Sequence, residues 1–71
     1  MAKVYAVLIY ADKISWDIIP KSLIPDVIFV LRLMVFMGRW DYDLNKLEEV
    51  REWYQDKFGS PIPEEAFCPI K

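Results

Sequence analysis

The chain has 71 residues, 55% of them hydrophobic, and its 9 basic and 11 acidic side chains give a net charge of −2. That length supports one domain with one core, and a protein that binds by neutralising phosphates would carry a basic excess, so no nucleic-acid partner is expected. With no histidine and a single cysteine, Cys68, intrachain disulfide frameworks, Cys/His zinc sites and histidine-based catalytic dyads are all excluded.

The first ten residues, MAKVYAVLIY, lack the charged start, long apolar run and small-residue cleavage site of a secretory signal, and they are expected to belong to the folded structure. Residues 3–11 are apolar on both alternating faces, which fits either a strand or a two-turn helix. Residues 14–22 read as a tight connection. Ser15 starts a short turn around Trp16 and Asp17, and Pro20 ends it by pushing the residue before it out of helical geometry.

Residues 27–37, VIFVLRLMVFM, are too few and too interrupted by Arg32 to cross a bilayer, which takes about 20 apolar residues. Their Val, Ile and Phe content fits a buried strand, but Ser22 as a cap, Pro25 in a first turn, Asp26 at the positive end and Gly38 as a stop fit a helix over 23–38. In a helix, Arg32 and Arg39 stand two turns apart on one side. Ile28, Phe29, Leu33, Val35 and Phe36 then leave almost no polar face. A helix apolar nearly all round must be covered on every side, and a chain this small is expected to be unable to do so alone.

Residues 43–58 give the clearest pattern. Leu44, Leu47, Val50, Tyr54 and Phe58 form one stripe, while Glu48, Glu49, Glu52 and Asp56 lie off it, which predicts an amphipathic helix. Asp43 or Asp41 can cap its start, and Gly59 with Pro61 predicts its end. The remainder, SPIPEEAFCPIK, is expected to be a proline-rich extended tail over 60–71, leaving 1–59 as a single small domain. Charge divides unevenly: residues 1–40 carry net +2 and residues 41–71 net −4, an asymmetry that favours docking of one half on another.

The string MAKVYAVLI, followed by Ile14-Ser15, Asp17-Ile18-Ile19-Pro20, Leu23, Val27 and Leu31, resembles very short proteins from the tail and lysis regions of phages and prophages of Gram-positive bacteria. The likeness covers residues 1–31. Where that group carries a glycine near the first turn, this chain has Asp12. The resemblance implies a phage-encoded protein and tilts residues 1–37 toward helix; it implies no catalytic activity.

Two chemical readings of single motifs are set aside. Cys68 has no neighbouring cation or histidine to stabilise a thiolate. Asp41 and Asp43, alone or with Asp17, Glu64 or Glu65, lack the spacing and glycine of a calcium loop. The expectation is therefore a mainly α protein: a short N-terminal segment, a central apolar helix and a C-terminal amphipathic helix, oligomeric through the central one. The alternative is an α+β arrangement with antiparallel strands 3–10 and 27–37 under the helix 43–58. No catalytic residue, metal or cofactor is expected. The interface residues are Phe29, Arg32, Leu33, Phe36, Met37, Arg39, Trp40 and Trp53, the aromatics, Met and Arg being the types that anchor associations. The partner is a second copy of the chain, a larger protein, or both. The setting is the cytoplasm, of the host if the chain is viral, and the role is a minor assembly component or an inhibitor of a host protein. A small membrane-associated protein using residues 23–40 is the second functional reading.

Overall fold

Residues 1–67 are described by the structure, a computed structural model, and Cys68 with the three residues after it lies outside them. Among the described residues 67% are helical and none is in a strand, so the α+β alternative is corrected: residues 3–10 and 27–37 are both essentially helical. Three α-helices form, α1 (Ala2–Tyr10), α2 (Ile24–Phe36) and α3 (Lys46–Phe58), with two short 3₁₀ turns between α1 and α2 and a third after α3.

Small residues decide the fate of the N-terminal segment. Ala2 and Ala6 with Tyr5 and Ile9 make a helical stripe, Ala6 is fully buried, and its lack of bulk lets α1 lie close on α2. As a strand the same residues would have exposed one of two equally apolar faces. The helix ends on a pair of capping bonds. The Lys13 amide donates to the Leu8 carbonyl at 2.9 Å and the Asp12 amide to the Ile9 carbonyl at 3.0 Å. This geometry requires a left-handed residue, and Asp12 supplies it at φ 59°, a conformation that Asp tolerates better than most residues.

The connection follows the expected punctuation with two changes. A 3₁₀ turn runs over Trp16–Ile18 behind Ser15, and Ile19 after it is extended, as Pro20 demands. The Ser15 hydroxyl makes no capping bond. Ser22 is not the cap of α2 either: it sits inside a second 3₁₀ turn, Lys21–Leu23, that feeds directly into the helix. Pro25 and Asp26 occupy the first turn of α2. Its last turn closes on Gly38 at φ 74°, where the Arg39 amide reaches the Met34 carbonyl at 2.9 Å and the Gly38 amide reaches Val35 at 3.0 Å.

α3 begins slightly later than its pattern predicts, because residues 43–46 make a tighter turn before it. The expected carboxylate cap is corrected: no side chain caps α3, and the Asp43 carboxylate instead closes the turn ahead of it, accepting from the Asn45 amide at 3.0 Å. Gly59 at φ 73° ends the helix, with its amide on the Gln55 carbonyl at 2.8 Å. Leu47, Val50 and Tyr54 face inward, and the four carboxylates of the helix face water.

The core gathers Ala6 and Ile9 of α1, Ile19 of the connection, Ile24, Val27, Ile28 and Leu31 of α2, and the inner face of α3. Residues 60–67 complete it. Ile62 and Ala66 are buried, and a 3₁₀ turn over Glu64–Phe67 packs on α2. The expected extended tail is thus corrected for its first eight residues: prolines bar this segment from helix and ladder, but they do not stop the side chain between Pro61 and Pro63 from docking. The clamp is cationic. Arg32 donates to the Ala66 carbonyl at 2.7 Å, and the Phe67 ring has the Arg32 guanidinium 5.8 Å and the Arg51 guanidinium 4.1 Å from its centroid.

This arrangement covers more of α2 than its sequence promises. Ile24, Val27, Ile28 and Leu31 are fully buried by the chain's own segments, so the expectation that this helix needs outside cover on every side is corrected. At 13 residues α2 is short, and no helix among the described residues is long and apolar enough to cross a membrane.

Candidate functional site

Beside the exposed Val4 and Val7 of α1 and Ile18 after it, two surface features stand out. The first is the outer face of α2. Phe29, Leu33, Phe36 and Met37 recur at intervals of four, three and one, opposite the buried set, and Phe36 is 62% and Met37 52% exposed. Asp26 stands at the start of this stripe, and Arg39 follows its end, both exposed. Leu33 is half-buried.

The other expected interface residues are distributed elsewhere. Arg32 points to the last described segment, as above, and does not join the stripe. Trp40 is half-buried with its ring stacked flat on Tyr10, centroids 4.8 Å apart and planes 3° from parallel. Trp53 belongs to α3, edge-on to Phe58 at 6.0 Å. The structure therefore brings four of the eight together on one face with Arg39 beside them, and separates Arg32, Trp40 and Trp53 from it.

The second feature is an open cleft of about 690 Å³ where the end of α1, the loop after it, residues 41–43 and α3 meet. Its walls carry four aromatic rings, Tyr10, Trp16, Tyr42 and Trp53, and five carboxylates, Asp12, Asp17, Asp41, Asp43 and Glu49. Lys46 is the only cation among the lining residues, and its ammonium lies 5.6 Å from the centroid of the Tyr42 ring. Tyr10 braces that wall, packed between Trp40 and Tyr42, with the latter ring tilted and 6.4 Å away. Lys57 pairs with Asp17 at 3.5 Å, an exposed contact of little energetic weight. The carboxylates do not converge: no group of three or more among the described residues could hold a metal ion.

Burial, and then the negative charges of Asp43 and Asp12, push the Tyr42 phenol above its ordinary value of 10.0. The folded chain holds this proton more tightly than the unfolded one does. The resulting stability is full below the ordinary value and is lost as pH rises through it toward the folded value. Tyr42→Phe is expected to flatten that alkaline loss, and thermal melts between about pH 9 and 11 measure it; an equal decline in both proteins would refute the assignment.

No family model, curated protein or solved structure matches this chain. The cleft was not among the expected sites, because it is assembled from segments about 30 residues apart. Its signal was nonetheless in two short strings, Ser15-Trp16-Asp17 and Asp41-Tyr42-Asp43, each an aromatic residue with acid beside it.

Proposed function

We propose that this chain is a non-enzymatic interaction protein, encoded by a phage or prophage and acting in the host cytoplasm as a minor assembly component, and that it works by self-association through the outer face of α2. The observation that carries this reading is the stripe of exposed Phe29, Phe36 and Met37 with half-buried Leu33 between them, on the side of α2 opposite the fully buried Ile24, Val27, Ile28 and Leu31. Apolar side chains of this size gathered on one face favour association. The likeness of residues 1–31 to short phage proteins supports the viral setting.

Charge selects a second copy as the occupant. Two α2 helices packed antiparallel about Leu33 bring Phe29 of one copy to Phe36 and Met37 of the other. The same pairing brings Asp26 at one end to Arg39 at the other, twice per dimer, so the stripe is complementary to itself.

Sedimentation of the wild type is expected to show a concentration-dependent dimer. Asp26→Lys or Arg39→Glu alone should weaken it about tenfold, and the two together should restore it. A chain that stays monomeric at every concentration, or a double variant no tighter than the single ones, overturns the reading.

A further inference from the structure

The cleft between α1, residues 41–43 and α3 shares no residue with the α2 stripe and stands or falls independently of it. We propose that this cleft binds an organic cation, an ammonium or guanidinium group carried on an apolar body. Its volume of about 690 Å³ is that of a small-molecule or side-chain pocket. Its chemistry is one-sided. Aromatic faces attract cations through the ring quadrupole, and five carboxylates against Lys46 and the Lys57 paired with Asp17 leave a net negative field that repels anions.

Two observations narrow the class. Because the carboxylates do not gather into a coordinating group, they act at a distance, which suits a large, weakly hydrated cation better than a bare metal ion. The Lys46 ammonium already rests over the Tyr42 ring, so the chain itself shows that a cation occupies this wall. Lys46 is then a tethered competitor that an incoming ligand displaces. Asp43 and Asp12, whose charges add to burial in holding the proton on Tyr42, line the same cleft.

Choline and its neutral carbon isostere, 3,3-dimethylbutanol, are the probes, titrated against the full chain while the indole resonances of Trp16 and Trp53 are followed. Choline is expected to saturate and to bind about tenfold or more tighter than the isostere. Asp12→Asn with Asp43→Asn should weaken choline about tenfold. Both changes spare the fold, since Asn suits the left-handed position at 12 and keeps an acceptor for the Asn45 amide at 43. Lys46→Met should tighten choline several-fold while leaving the isostere unchanged. A peptide carrying trimethyllysine assigns the source: tighter binding than choline points to a protein side chain, and weaker binding to a free metabolite. Equal binding of choline and isostere, no saturation by choline, or unaltered affinity in the double Asn variant of unchanged circular dichroism overturns the proposal.

Discussion

Leu31→Ala is expected to lower the stability of this chain by roughly 2–5 kcal/mol and its melting temperature by about 10–25 °C. Leu31 is fully buried in the middle of α2, alongside Ile24, Val27 and Ile28. Truncation there removes the transfer energy of three carbons and leaves a cavity that helices on both sides cannot collapse into without breaking other contacts. A domain of this size has about 4–10 kcal/mol in total, so the loss is a large part of the whole. Leu44→Ala is the control: Leu44 is 39% exposed just before α3, and its loss should fall near the smaller values usual for surface positions. Thermal melts by circular dichroism compare them, and similar small shifts for the two would mean that α2 is not the centre of the core.

That core was legible in the sequence wherever one reading of the pattern was physically exclusive. α3 has one apolar stripe and an unambiguous stop at Gly59, and the helix and its inner face, Leu47, Val50 and Tyr54, follow. The stop of α2 at Gly38 was equally plain. Where a segment is apolar on all sides, pattern carries no direction: residues 3–11 and 27–37 fit strand and helix alike. For residues 3–11 the choice fell to tertiary packing, the fit of Ala6 against α2, which no local signal contains, whereas for 27–37 Pro25, Asp26 and Gly38 favoured the helix that forms. The same blindness made α2 look as if it needed cover all round. Pattern alone could not show that Ile62 and Ala66, from the far end of the chain, supply part of that cover. Of the expected surface, the α2 stripe could be read from helical spacing, whereas Arg32 and Trp40 were diverted by partners 34 and 30 positions away in sequence, Ala66 and Tyr10 respectively.

The last described segment tests this account of the core most directly, through Ile62→Asp. Keeping a carboxylate in the site that Ile62 now fills, 5% exposed, costs several kcal/mol in lost solvation. Releasing residues 60–67 instead forfeits the burial of Ile62, about 1.5–3 kcal/mol, together with the burial of Ala66 and the Arg32 bond to its carbonyl. Release is the cheaper route and the one the variant is expected to take. Its melting temperature should fall by about 10–20 °C, and the exposed Glu64 and Glu65 should become rapid cleavage sites for a glutamyl protease while the bonds of α3 stay protected. Ile62→Val keeps the segment docked and should lose only about 1 kcal/mol. Cleavage at Glu64 and Glu65 that is already fast in the wild type, or no faster in Ile62→Asp, would show that the segment does not seal α2.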